Sequence, residues 1–127
     1  MVVLYFVPEF LDKKILVVDD EKHIKELLKE FFSFNGYEIS VASNGIEALD
    51  ILKDKSCSLL ITDLNMPYMN GIELVQRIRS FDVSLPIIGM SCEDKETEFL
   101  HAGGDYFLLK PFNIYHLKFI VYSILGK

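Results

Sequence analysis

The sequence predicts an α/β domain in which a parallel five-stranded sheet is covered by helices on both faces. Three observations carry that expectation. Short apolar runs alternate with stretches of helical period. The runs are apolar on consecutive residues, as in strands buried on both sides. At 127 residues the chain has the size of one domain and can bury roughly 65 to 70% of the surface that its unfolded form exposes.

The first strand is Ile15 to Val18. After it, Ile24, Leu27, Leu28 and Phe31 recur at i, i+3, i+4 and i+7, sharing one face of a helix that Gly36 stops. The second strand covers Glu38 to Ala42 and leads into a helix over about 45–54. The third, Leu59 to Thr62, leads into a helix over about 71–80. The fourth, Pro86 to Met90, precedes a helix over about 94–102, and the fifth, Tyr106 to Leu109, precedes one over about 113–125. No repeat, low-complexity tract or linker interrupts the series. Five βα units of this length wind in the flavodoxin-like, doubly wound way, (βα)5 with strand order 2-1-3-4-5.

Composition narrows the function. The formal net charge of −6 argues against direct binding to nucleic acid or to an anionic membrane surface, both of which need a basic face. An acidic chain suits a cation or a protein partner. No apolar run approaches the roughly 20 residues that span a bilayer. Cys57 and Cys92 show neither zinc spacing nor a disulfide framework, so two free, mostly buried thiols and a cytoplasmic location are expected. The opening MVVLYFVPEFL lacks a basic start and a small-residue cleavage site, and Pro8 and Glu9 interrupt it, so it reads as an apolar extension rather than a signal peptide. The expected division is an extension over 1–12 and a domain over 13–127.

In sheets of this winding, ligands bind beyond the carboxyl ends of the strands, near the switch point between strands 1 and 3. Strand 1 runs into Asp19 and Asp20, strand 3 into Asp63, strand 4 into Ser91 and strand 5 into Lys110. The edge strand ends in Ala42 and Ser43. Taken singly, Asp20 and Ser91 could cap helices, Asp63 could start a turn before Pro67, and Lys110 could be a surface lysine. Their common placement at one sheet edge favours a shared site. Three carboxylates in a cleft call for a hard cation, best magnesium with its preference for oxygen ligands. With Lys110 and the Ser91 hydroxyl, these are parts for holding a phosphoryl group that a carboxylate can accept.

ILVVDDE (15–21), LLITDLNMPYMNGIELVQRIR (59–79) and LLKPF (108–112), in this order and spacing, resemble the receiver domain of two-component response regulators. The resemblance extends over 14–126. It implies that Asp63 is the phosphoacceptor, receiving its phosphoryl group from a histidine kinase or histidine phosphotransfer protein. It implies a magnesium site made by Asp19, Asp20, Asp63 and the backbone carbonyl of Asn65, with Asp20 the more direct of the first pair. It makes Lys110 and Ser91 the phosphate-binding residues, Ser91 and Phe107 the switch pair, and the Lys110–Pro111 bond cis. Asn65, Cys92 and Glu93 fall where the family tunes water access to the acyl phosphate. Cys92 stands where a smaller residue is usual, so an altered lifetime is expected, with Cys92 itself a packed small thiol.

The resemblance further implies an unspecified output protein or domain, and catalysis only of the chain's own phosphorylation and dephosphorylation. A phosphorylation-linked homodimer belongs to the same set. Ser91 to Lys110 is about one helical turn shorter than the family pattern, which counts against the usual dimer through helices 4 and 5 and predicts a short fourth helix. The chain stops after its fifth helix, so no DNA-binding or catalytic output domain is expected on it. In that helix Ile114, Leu117, Val121 and Ile124 form one apolar stripe, and Tyr115, Phe119 and Tyr122 a second, expected either to lie under the N-terminal extension or to meet a partner. His23, His101 and His116 are expected in ordinary roles. Two other readings compete: a pseudo-receiver that works without phosphorylation, which the intact residue set disfavours, and a haloacid-dehalogenase-type phosphatase, which expects an aspartate where Asn65 stands.

Overall fold

The structure, a computed structural model, describes residues 13–126. In chain order it contains β1 (Lys14–Val18), α1 (Lys22–Phe34), β2 (Glu38–Ala42), α2 (Gly45–Asp54), β3 (Leu59–Asp63), α3 (Gly71–Arg79), β4 (Ile87–Ser91), α4 (Glu96–Ala102), β5 (Tyr106–Leu109) and α5 (Ile114–Leu125). All strand pairs are parallel and the order is β2-β1-β3-β4-β5, the doubly wound arrangement expected. The apolar extension over 1–12, and the cover it was expected to lend α5, lie outside the described residues.

The period of two in a strand explains why ILVV is apolar throughout. Ile15 and Val17 point to the face where Leu28 and Phe32 of α1 meet Leu117 and Val121 of α5. Leu16 and Val18 point to the other, where Ala48 of α2, Leu74, Val75 and Ile78 of α3 and Phe99 of α4 pack. Both faces are covered, so the central strands β1, β3 and β4 are buried at nearly every position, whereas the edge strands β2 and β5 are only partly buried. Phe99 is fully buried over the sheet because Gly89 and Gly104 leave room for its ring: a Cβ at either would come within 2.7 or 2.2 Å of it.

Side chains begin three of the helices. Asn44 accepts from the Glu47 N–H, Asn70 from the Glu73 N–H and Asn113 from the Tyr115 N–H, each at 2.8–2.9 Å. Glu47 returns a bond to the Ser43 N–H at 2.9 Å. The fourth helix is short, as expected, and starts at Glu96, later than the expected 94. Asp94 instead turns its carboxylate back onto the Glu96 N–H, a local bond that competes with helix.

The thiols depart from expectation. Cys57 is half-buried, its Sγ donating to the Leu59 carbonyl, and burial pushes its pKa up. Cys92 is exposed rather than packed. It lies one residue past the end of β4, in the loop that leads to α4, where the sheet no longer buries it on both faces. No helix among the described residues is long and apolar enough to cross a membrane.

Candidate functional site

The carboxyl ends of β1, β3 and β5 converge on one acidic cleft. Asp19 continues the β1 ladder, its N–H donating to the Ala42 carbonyl at 3.1 Å. Its side chain is buried, with Oδ1 accepting from the Glu21 N–H at 2.9 Å and Oδ2 lacking any hydrogen-bond donor. Asp20, the next residue, is exposed at the rim. Asp63 is the last residue of β3 and is 4% exposed. One carboxylate oxygen from each of Asp19, Asp20 and Asp63 lies within 4.8 Å of the others.

Lys110 brings the positive charge. Its N–H donates to the Ser91 carbonyl at 2.8 Å, continuing β5 beside β4, and its bond to Pro111 is cis. Its Nζ lies 3.3 Å from Asp63 Oδ1 and 3.6 Å from Asp19 Oδ2. The electrostatics follow from this crowding. Burial, aided by the charge of Asp63, pushes Asp19 up to about 6 against the opposing pull of the Glu21 N–H and Lys110. Burial also raises Asp63, against the opposing charge and hydrogen bond of Lys110. Burial pulls Lys110 down, but Asp19 and Asp63 outweigh it and its pKa ends raised. One ammonium does not neutralise three acids, and Asp19 Oδ2 is an acceptor stored in a dry place without a donor. An oxygen-only donor set of this charge fits a hard divalent cation.

The turn after β3 is shaped by its backbone. A Cβ on Gly71 would sit 2.5 Å from the Asp63 carbonyl oxygen and 2.6 Å from the Leu64 side chain, so only glycine lets α3 begin so close to the strand end. The Gly71 N–H donates to the Leu64 carbonyl at 3.1 Å, Thr62 Oγ1 donates to the Asp63 carbonyl at 2.8 Å, and Tyr68 takes a φ of 71° within the loop.

Ser91 is fully buried at the end of β4, but its hydroxyl bonds no carboxylate. Its Oγ accepts from the Glu93 N–H at 3.0 Å and from Asn65 Nδ2 at 3.2 Å. The side chains of Asn65 and Glu93 are at the surface, Glu93 3.7 Å from Lys95 Nζ. Phe107 is half-buried and leans on Phe99, ring centroids 6.3 Å apart, whereas Tyr106 is 44% exposed. Cys92 lines an apolar groove of about 550 Å³ with Ile24, Leu27, Pro111, Phe112 and Ile114 beside Lys110. Sequence reasoning brought forward Asp19, Asp20, Asp63 and Lys110, which meet here. It missed the Glu21 N–H, the Thr62 hydroxyl and the seat of Phe99. Only the motif glycine, Gly71, carried a signal of its mechanical part.

Comparison with known proteins decides the family. The sequence matches the response regulator receiver domain over residues 15–122. The chain belongs to that family. Among curated relatives, response regulator MprA of Mycobacterium sp. (strain KMS) is 37% identical over 107 residues, 82% of this chain and 46% of the relative. MprA of Mycobacterium avium is 38% identical over 107 residues, 82% of this chain and 47% of the relative. The chain thus spans about half the length of these relatives. Among solved structures, the Francisella response regulator 1452 receiver domain superposes with TM-score 0.84 at 34% identity, covering 89% of this chain and 96% of its own. TrrA from Thermotoga maritima, determined in complex with Mg2+ and BeF, gives 0.82 at 37% identity, covering 88% and 98%. Chemotaxis regulator CheY4 of Vibrio cholerae gives 0.82 at 32%, covering 87% and 97%. This receiver domain is a signalling module of two-component systems. The acidic cluster at its strand ends suits magnesium, and the family implies a histidine kinase and an output target.

Proposed function

We propose that this receiver domain takes a phosphoryl group onto Asp63 from the phosphohistidine of a histidine kinase or histidine phosphotransfer protein. An Asp63 carboxylate oxygen attacks phosphorus, the phosphorus–nitrogen bond breaks, and the imidazole leaves with that electron pair. Asp19, Asp20, Asp63 and the backbone carbonyl of Asn65 would hold a magnesium ion, which when bound neutralises charge on the phosphoryl oxygens. Lys110 supplies the second positive charge, already aimed between Asp63 and Asp19. The observation that carries the reading is this convergence of Lys110 and the acids, with an orphaned Asp19 Oδ2, at one sheet edge.

Phosphorylation adds roughly −1.5 to −2 charge and three strong acceptors, giving Ser91 and Lys110 new partners. Ser91 turns toward the phosphoryl group, Phe107 turns into the room it leaves, and the surface of α4, β5 and α5 changes. An output protein or domain reads that change by binding the two states unequally. Asn65, Cys92 and Glu93 set how fast water removes the group. Catalysis is confined to the domain's own phosphorylation and dephosphorylation, in the cytoplasm.

Incubation with magnesium and a small phosphodonor, followed by intact mass, tests the reading. One added phosphoryl group that depends on metal and disappears in Asp63→Asn is the expected result. No adduct, together with no binding of beryllofluoride, overturns it in favour of a pseudo-receiver.

A further inference from the structure

The Ser91 oxygen is already held in place before any phosphoryl group arrives. Both acceptor positions of its Oγ are taken, one by the Glu93 N–H at 3.0 Å and one by Asn65 Nδ2 at 3.2 Å. Turning Oγ toward Asp63 breaks both bonds. They differ in kind: the Glu93 bond joins neighbours on one loop, whereas the Asn65 bond crosses from the turn after β3 to the end of β4, 26 residues apart in sequence.

Asn65 is also tied to the reacting residue. It stands two positions after Asp63, in the turn that leaves β3. One residue is therefore joined to the phosphoacceptor strand through its backbone and to the Ser91 hydroxyl through its side chain. Its exposure makes the side-chain bond reversible, because an amide released from Ser91 meets water rather than becoming a buried orphan.

Resting on the phosphoacceptor reading above, we infer that Asn65 is a positioning residue, a latch whose side-chain amide holds the Ser91 hydroxyl away from Asp63 and so lowers the population of the switched state before phosphorylation. A change at the Asp63 carboxylate pulls on the Asn65 backbone and loosens the latch, so arrival of the phosphoryl group both attracts Ser91 and frees it. The Glu93 N–H remains as a second holder, which makes the effect of losing Asn65 partial.

The test compares wild type, Asn65→Ala, Ser91→Ala and the double variant, each titrated with beryllofluoride in excess magnesium. Asn65→Ala is expected to bind the mimic roughly two- to tenfold more tightly, the worth of one neutral hydrogen bond, and to lose that advantage when Ser91 is also alanine. Equal affinity in wild type and Asn65→Ala, or a gain that persists without the Ser91 hydroxyl, overturns the latch. A second readout is taken with no mimic bound: in metal-free protein, the NMR signals of Ser91 and Phe107 in Asn65→Ala are expected to shift toward the positions they take in beryllofluoride-bound wild type. Signals unchanged from wild type count against the latch even if the mimic titration is favourable. Should wild type bind no beryllofluoride, the phosphoacceptor reading falls, while the metal-free comparison still judges the latch: Phe107 signals that move in Asn65→Ala but not when Ser91 is also alanine support it, and signals unmoved in both overturn it.

Discussion

Asp19 concentrates the site's unfavourable electrostatics in one side chain. Its folded pKa of about 6 stands above the ordinary 3.8, so between those values the folded state holds a proton that the unfolded state has released. Its contribution is fully favourable below about pH 4 and is lost as the pH rises through 6; Asp63 is displaced in the same direction. In metal-free protein, Asp19→Asn is therefore expected to raise stability at pH 7 by about 1 to 3 kcal/mol, at about 1.4 kcal/mol for each unit of displacement. Denaturant melts of both proteins at pH 4 and pH 7 check this: the gap should open with rising pH, and a gap equal at both values refutes it. At the same scale, Cys92→Ala is expected to change the acyl-phosphate lifetime, since Cys92 follows Ser91 directly and lines one groove with Lys110. Identical decay rates for the two proteins remove the idea. The exposure of Cys92 was not legible, because a residue just past a strand end belongs to a loop, where exposure is the default whatever its own hydrophobicity.

The elements owe their positions to small residues and caps. Gly71→Ala would drive a methyl into the Asp63 carbonyl and the Leu64 side chain. A loss of about 2 to 4 kcal/mol is expected, larger than a helix-interior Gly→Ala change because the obstacle is backbone. Urea melts of Gly71→Ala against wild type measure it, and a neutral or stabilised variant shows that the turn has room. Phe99→Ala is expected to cost about 3 to 5 kcal/mol, since the ring is fully buried and its seat is shaped by glycines that cannot fill it. The strands and most helices could be read from hydrophobic period alone, within a residue or two at each end. The start of α4 could not, because Asp94 forms a side-chain bond to the Glu96 N–H that no apolar pattern announces. That α4 is anchored by one aromatic rather than a stripe suits an element whose neighbour, Phe107, is read as moving.

For the whole molecule, a cation that binds only the folded cleft stabilises it by mass action. At one hundred times its dissociation constant, magnesium is expected to add about 2.7 kcal/mol. The gain should vanish in Asp20→Asn or Asp63→Asn, as calorimetry with and without the ion reports; a gain undiminished in both variants places the cation elsewhere. The same scale holds the two apolar faces of the sheet and the exposed row of Tyr115, Phe119 and Tyr122 on α5. By itself the sequence determined the five βα units, their winding and the family, because hydrophobic period, strand-end chemistry and motif spacing are local properties of the chain. It also brought Asp19, Asp20, Asp63 and Lys110 to one edge, since parallel strands end together. Tertiary structure alone decided the partners: that Asp19 keeps an orphaned oxygen, that Lys110 lies between Asp63 and Asp19, that Phe99 fills the space above two glycines, and that Asn65 holds Ser91. Those are contacts between residues far apart in sequence, and their distances depend on how the strands and turns pack rather than on any one segment.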